Sequence, residues 1–131
     1  MIVRRVNDIE PIDVSKLMNA PDMGIKLRWL VHNQVGDESY GHQFAFRHFT
    51  IEPGKSFPMH HHKYVEAVYI LSGKCAFRTA TEEVKLEPGD LVYTSREEPH
   101  ALIALGDDPL ILTCCIDCMD GGDNCNQVIP E

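Results

Sequence analysis

The sequence predicts an all-β fold in a single domain, and three observations lead to that prediction. The chain has 131 residues, of which 44% are hydrophobic, which is enough for one compact core and too little for two. Short apolar segments follow one another at close intervals and are separated by turn-forming residues. In residues 67–71, AVYIL, odd and even positions are both apolar, so both faces of that strand must be covered. A two-layered sandwich or barrel would meet this requirement.

Each predicted strand lies between turn signals. In chain order the apolar segments are GIKLRWLV, FAFRHFTI, YVEAVYIL, CAFRTA, EVKL, LVYT, ALIAL and PLILTCCI. The backbone preferences of glycine and proline predict reversals at Gly36 and Asp37, Pro53 and Gly54, Gly73 and Lys74, and Pro88 and Gly89. Ahead of the first strand, DVSKLMN has helical spacing, but the flanking prolines limit any helix to one or two turns.

Charge and hydropathy exclude several function classes. The formal net charge is −8, with 20 acidic and 12 basic residues, and this balance disfavours binding to a phosphate backbone. No stretch approaches the roughly 18 apolar residues of a membrane span, and MIVRRVNDIE contains no apolar leader region. Four of the five cysteines crowd into residues 114–125, unlike the framework of a secreted disulfide protein. We therefore expect a soluble, cytoplasmic protein that binds neither nucleic acid nor membrane.

The segment GKSFPMHHHKYVE, residues 54–66, contains the strongest candidate site. Because side chains alternate faces along a strand, His60 and His62 share a face while His61 points away. Glu66 has the same parity, so its carboxylate joins the two imidazoles if the chain stays nearly extended. Two imidazoles and a carboxylate suit a divalent Fe, Mn, Ni, Co, Zn or Cu ion. The alternative is that these histidines are exposed at a strand end or pair with the acid.

The same residues resemble the first motif of the cupin superfamily, whose fold is a small double-sheet β-barrel of the jelly-roll type. That motif is Gly, five residues, His, one residue, His, three or four residues, Glu, six residues, Gly. Its positions are filled here by Gly54, His60, His62, Glu66 and Gly73. The resemblance implies a core barrel at about residues 25–117, followed by a cysteine-containing tail at 118–131.

A second cupin motif is matched in part by PGDLVYTSREEPHALIA, residues 88–104. Gly89 and His100 have the spacing of the family, whereas Ser95 stands for its proline, Glu97 for its glycine and Ala104 for its asparagine. The resemblance implies that His100 completes a metal site with His60, His62 and Glu66. Three imidazoles and one carboxylate leave two positions open on a six-coordinate ion.

The fold does not decide the function, because cupins include enzymes and proteins that only bind a small ligand. No nucleophile with an adjacent base is evident, so any chemistry would depend on the metal, with Glu66 limited to ligation. The first hypothesis is a metal-dependent oxygenase or isomerase that acts on a small oxygen-bearing molecule. The second is a binding or sensor protein without turnover. No catalytic residue beyond the metal ligands is predicted.

Strand alternation in FAFRHFTIE allows only one of Arg47 and His48 to point inward. An inward arginine would favour an anionic substrate, and an inward histidine would favour a proton shuttle. The preferred interpretation is that neither has such a role and that each is a surface residue paired with an acid.

Two further predictions concern the tail and the partner. Cys115 and Cys118, with Cys125 after a glycine turn, are spaced for a second metal site or a disulfide, with Asp117 or Asp123 as a fourth ligand. The alternative is that they are buried thiols like Cys114, which shares a face with core leucines.

A homodimer is predicted from two features. One is the strand with two apolar faces, and the other is the amino-terminal IVRRV, which could pair with the sheet edge of a neighbour.

Overall fold

The structure, a computed structural model, describes residues 1–118. Within this range the chain forms ten strands, one short α-helix and two 3-10 helices. The strands are β1 Ile12–Asp13, β2 Ile25–Val31, β3 Phe44–Ile51, β4 Ser56–His60, β5 Glu66–Ser72, β6 Lys74–Thr79, β7 Glu83–Leu86, β8 Leu91–Thr94, β9 His100–Leu105 and β10 Leu110–Asp117. The helix α1 is Val14–Leu17, and the 3-10 helices are Val6–Asp8 and Glu38–Tyr40.

The strands form two antiparallel sheets, which confirms the all-β, double-sheet jelly-roll prediction. The larger sheet has the order β1-β2-β3-β10-β5-β8 and the smaller has the order β4-β9-β6-β7. Among the described strands no pairing joins one sheet to the other, so the barrel is not closed by hydrogen bonds. Strand β10 lies between β3 and β5, which come from distant parts of the sequence. This arrangement brings Arg47 on β3 and Glu66 on β5 to the same region of the sheet.

The core lies between the two sheets and follows the alternation of the strands. On β10, Leu110, Leu112, Cys114 and Ile116 are all at most 3% exposed, and they occupy every second position as a one-faced strand requires. Each fully buried large aliphatic side chain contributes about 1.5–3 kcal/mol relative to an exposed one. Burial of these inward-facing side chains is therefore the main hydrophobic contribution to the stability of the fold, and the same sheet faces enclose the candidate site.

Strand β5 does not have both faces covered within one chain. Val68 and Ile70 are buried, as expected, but Tyr69 and Leu71 on the opposite face remain 42% and 45% exposed. The same outer face of the neighbouring strand β8 exposes Leu91 and Tyr93. Residues 1–118 of a single chain therefore leave the outer face of β5 exposed, although the sequence predicts that both faces are covered.

The short helix predicted around DVSKLMN is confirmed as a single turn. Its first backbone donors are capped by Asp13, whose carboxylate accepts a hydrogen bond from the Ser15 N–H at 3.0 Å. The helix ends next to Met18, which lines the cavity between the sheets. No helix in residues 1–118 is long and apolar enough to cross a membrane.

Candidate metal centre

Three histidines meet at one end of the space between the sheets. His60 is the last residue of β4 and His100 is the first residue of β9, and the two are directly paired in register. The ring centroids are 4.4 Å apart for His60 and His100, and 4.8 Å apart for His62 and His100. One ring nitrogen from each of the three lies within 4.8 Å of the others. The structure therefore brings His60, His62 and His100 together in one group.

The convergence does not require the extended chain that the alternation argument assumed. Strand β4 ends at His60, and His62 lies in the loop that leads to β5. The Glu97 N–H donates to the His62 carbonyl at 2.8 Å, and this hydrogen bond connects the loop to the segment before β9. His61 points away as expected, since half of its side chain is exposed and its Nδ1 lies 3.0 Å from Glu97 Oε2.

All three imidazoles are held in one orientation by the same kind of hydrogen bond. Nδ1 of His60 lies 2.7 Å from the Pro58 carbonyl, Nδ1 of His62 lies 2.9 Å from the Tyr64 carbonyl, and Nδ1 of His100 lies 2.8 Å from the Glu98 carbonyl. A carbonyl only accepts, so each Nδ1 carries a proton, and the nitrogen left to bind a metal is Nε2. This pattern is typical of metal-ligating histidines, whose second nitrogen is fixed by an outer hydrogen bond.

The Nε2 atoms of His62 and His100 are buried and have no hydrogen-bond partner. Oε1 of Glu66 faces them at 3.6 Å and 3.4 Å, respectively. A cation, either a metal ion or a proton, between a ring nitrogen and the carboxylate oxygen stabilises this arrangement. Ligands held about 2.1 Å from one ion lie roughly 3.0–3.5 Å apart, so the separations of Glu66 Oε1 from His62 and His100 are close to those of two ligands on a divalent metal. The group whose ligand atoms all lie within 4.8 Å of one another consists of the three histidines without Glu66. The donor set of imidazole nitrogens with one carboxylate oxygen suits the same class of ion.

Glu66 is ionised in this environment. Burial alone would raise the pKa of its carboxyl, but the contacts from His100 and His62 and the charge of Arg47 outweigh burial and hold the pKa well below its ordinary value. For His60, burial is the main cause that lowers the pKa to about 4. Burial also acts to lower the pKa of His100, but the contact with Glu66 outweighs it and the pKa is raised. The carboxylate is therefore ready to ligate, and His60 is neutral at pH 7.

Arg47 points into the cavity, which corrects the preferred interpretation that it is a surface residue. It is only 3% exposed, its Nη2 donates to Glu66 Oε2 at 2.5 Å, and its Nε donates to Cys114 Sγ at 3.2 Å. The interpretation was wrong because the acid that pairs with Arg47 is buried two strands away in the sheet. Strand alternation did predict that only one of the two neighbours faces inward. The surface interpretation was also wrong for His48, which is buried on the opposite face beside Arg28.

Three aromatic rings surround the guanidinium of Arg47. Its central carbon lies 5.6 Å from the Trp29 ring centroid, 5.2 Å from that of Phe49 and 5.7 Å from that of Tyr64, which are cation–π distances. Burial alone would lower the pKa of Arg47, but its Cys114, Tyr64 and Glu66 neighbours outweigh burial and raise the pKa. The arginine is charged and fixed in place. Sequence reasoning left Trp29 unassigned, because only the strand pairing shows that it lies beside Arg47.

The histidines and Glu66 form the polar end of a mostly apolar cavity of about 50 Å³. This volume has room for a few heavy atoms, since one water needs roughly 10–15 Å³ by the same kind of measure. Aromatic and aliphatic side chains form most of the wall. They are Met18, Phe49, Ile51, Phe57, Tyr64, Val68, Phe77, Leu102 and Leu112.

Three positions differ from the second cupin motif, and the turn before His100 still forms. Glu97 has φ +64°, the left-handed conformation for which glycine is best suited, and it occupies the glycine position of the motif. Ser95 has its N–H bonded to the Glu98 carboxylate at 3.0 Å, and Ala104 is buried. The turn that presents His100 therefore forms without the proline and glycine of the family.

The tail hypothesis is only partly within the described residues. Cys114 is buried next to Arg47, which agrees with its interpretation as a core residue. Cys115 is a free, half-buried thiol, whereas Cys118 is buried and is not among the free thiols. Asp117 accepts a hydrogen bond from the Val65 N–H and pairs with Arg96. Cys125 and Asp123 lie outside the described residues, so a thiolate metal site or disulfide stays a prediction.

The fold and the site together define a double-sheet β protein with a candidate metal centre between its sheets. A family model described as a cupin domain matches residues 47–116, which is more than half of the chain. The chain belongs to the cupin family. A search of curated proteins finds no match.

Many solved structures share the fold. A cupin 2 domain-containing protein from Halorhodospira halophila is 24% identical, with a TM-score of 0.69 over 85% of this chain and 71% of that one. A predicted oxalate decarboxylase from Thermotoga maritima is 24% identical, with a TM-score of 0.73 over 88% and 98%. A polyketide cyclase from Streptomyces resistomycificus is 17% identical, with a TM-score of 0.76 over 100% and 84%. At these identities the likeness concerns the fold.

Proposed function

We propose that His60, His62, His100 and Glu66 hold one divalent transition metal ion, namely Fe, Mn, Ni, Co, Zn or Cu. The observation that carries the proposal is the meeting of imidazole nitrogens and a carboxylate oxygen in a buried site. Nε2 atoms without a hydrogen-bond partner face Glu66 Oε1 at 3.4 Å and 3.6 Å. Family membership supports it, because the matched range, residues 47–116, contains all four residues.

On this basis the protein is a metal-dependent oxygenase or isomerase that acts on a small oxygen-bearing molecule. A bound ion would supply Lewis acidity and open positions for an oxygen ligand. Phe49, Phe77 and Leu102 form apolar walls that limit water beside those positions. Glu66 is engaged by Arg47 and therefore serves as a ligand rather than a free base. The histidine Nδ1 bonds keep the three imidazoles oriented toward one point.

A second candidate function is a binding or sensor protein without turnover. Two observations favour it: the cavity is small, and Glu66, the carboxylate in its wall, already pairs with an arginine. The two candidates differ in the behaviour of the open positions. Repeated turnover of a bound small molecule supports the enzyme, whereas stoichiometric binding with no product supports the sensor.

The metal proposal is tested by elemental analysis of protein purified without added metal, with two histidine variants. His62→Ala removes a ligand, so its metal content after dialysis falls well below one equivalent. His61→Ala is the matched control, because its half-exposed side chain points away from the site, and it keeps its metal. Any stability change in this control stays within about 1 kcal/mol, as is usual for a partly exposed side chain.

Equal loss in both variants, or loss only in His61→Ala, would refute this ligand set. Wild-type protein that takes up none of the six metals would refute the metal centre itself.

The protein is further proposed to act as a homodimer in the cytoplasm. The exposed outer face of β5 and β8 supports a partner subunit. Free thiols at Cys75, Cys114 and Cys115 suit a reducing compartment, whereas Cys118 is not among the free thiols. In the single chain the Arg4 side chain donates to the Trp29 and Leu30 carbonyls, and pairing of the segment IVRRV with the sheet edge of a neighbour stays a prediction.

A further inference from the structure

Two opposite charges lie side by side at the end of the cavity. Arg47 and Glu66 are 3% and 8% exposed, and both line the cavity wall together with the three histidines. A hydrogen bond joins the positive charge of Arg47 to the negative charge of Glu66. The net charge of the pair is zero, and a bound metal ion would therefore set the net charge of the site.

The arginine has no alternative position. Its Nη2 is bonded to Glu66, its Nε is bonded to Cys114, and its guanidinium lies among the rings of Trp29, Phe49 and Tyr64. Burial excludes the solvent that would screen its charge at the surface. The positive charge of Arg47 is therefore a permanent feature of the cavity wall.

A divalent ion held by these residues would keep its two positive charges uncompensated. Imidazoles that bind a metal ion are neutral and add no charge. The negative charge of Glu66 is balanced by the positive charge of Arg47. A net charge in an apolar, enclosed site is unfavourable unless a counter-charge is present. The most direct compensation is an anionic ligand at the open positions of the ion. The cavity of about 50 Å³ limits such a ligand to a few heavy atoms.

We infer that the molecule bound at this centre is a small anion, and that Arg47 is the positioning residue that creates this preference by neutralising Glu66. The inference rests on the proposed metal centre and names the class of ligand for it. Arg47 lines the same cavity, and it acts there through Glu66 and through its charge.

The test uses full-length protein loaded with Co²⁺, whose visible spectrum reports a change of ligand. Formate is the anionic probe and formamide is its neutral counterpart of nearly the same size. Wild-type protein is expected to bind formate at least about tenfold more tightly than formamide, because a unit charge acts strongly at a buried site. Equal affinity for the two probes overturns the inference and needs no variant.

The role of Arg47 is tested with Arg47→Met and Arg47→Lys, each measured for Co²⁺ content and for formate affinity. Arg47→Met is expected to retain Co²⁺ and to lose about tenfold or more in formate affinity, with formamide binding unchanged. Arg47→Lys keeps the charge and recovers most of the formate affinity. The matched control is Arg28→Met, since Arg28 lies on the adjacent strand and bonds the Ile9 carbonyl; it should bind formate as the wild type does.

Formate affinity within twofold of wild type in Co²⁺-loaded Arg47→Met overturns the role of Arg47. An equal loss of affinity in Arg47→Lys and Arg47→Met also overturns it, because charge would then not be the cause. A merely structural role would weaken both probes together. Failure of the wild type to bind Co²⁺ is a separate result, which refutes the proposed metal centre.

Discussion

At the scale of single residues, the site depends on side chains whose neighbours are far apart in the sequence. Arg47 is stable inside the cavity because Glu66, Cys114 and three aromatic rings replace the water it loses. The histidines are oriented by carbonyls only two residues away. Local bonds therefore orient the ligands, whereas distant partners determine the charge around them.

Glu97 provides a test at this scale, because it occupies a left-handed backbone position at φ +64°. A non-glycine residue there costs roughly 1–2 kcal/mol. Glu97→Gly and Glu97→Ala both remove the exposed contact with His61, which is worth about 0–1 kcal/mol. Only glycine also relieves the backbone.

In urea denaturation Glu97→Gly should therefore be more stable than Glu97→Ala by about 1 kcal/mol. An alanine variant as stable as the glycine variant would contradict the strain at this position.

At the scale of elements, the tight turn between β5 and β6 is the most constrained part of the described chain near the core. Gly73 has φ +79°, and a Cβ added there would lie 2.5 Å from the Pro109 carbonyl oxygen. Gly89, before β8, has φ +95° but nothing within 4 Å of an added Cβ. The two glycines share a conformational requirement and differ in the space around them.

We predict that Gly73→Ala lowers the free energy of unfolding by about 2–4 kcal/mol, from backbone strain together with the clash. Gly89→Ala, the matched control, has only the strain and should lose about 1–2 kcal/mol. Thermal and urea unfolding of both variants measure the difference. Equal losses would show that the backbone at Pro109 yields to the added methyl group.

At the scale of the whole molecule, the outer face of the larger sheet is the surface that requires a partner. We define the outer patch as Tyr69, Leu71, Leu91 and Tyr93, which are 42%, 45%, 58% and 64% exposed. Adjacent strands carry these side chains on one face. Contiguous exposed apolar side chains on a sheet favour association with another surface, and a second copy would cover them in a symmetric pair.

We predict that light scattering detects a dimer at micromolar concentration and that Leu91→Arg converts it to a monomer. Val84→Arg makes the same change on β7, an exposed edge strand of the other sheet, and should leave the dimer intact. A monomeric wild-type protein would disprove the prediction. Dissociation by both arginine variants alike would place the interface elsewhere.

The fold class and the positions of the turns follow from the sequence alone, because they depend on short-range rules of strand alternation and turn chemistry. The grouping of His60, His62 and His100 agrees with the spacing of a family motif. Strand alternation does not explain it, since His62 lies in a loop after β4. The tertiary structure decided that Arg47 is buried, since its partners Glu66 and Cys114 become neighbours only when β10 pairs with both β3 and β5. It also decided that Tyr69 and Leu71 stay exposed in a single chain. Strand periodicity shows which residues share a face, but the pairing of distant strands determines what that face contacts.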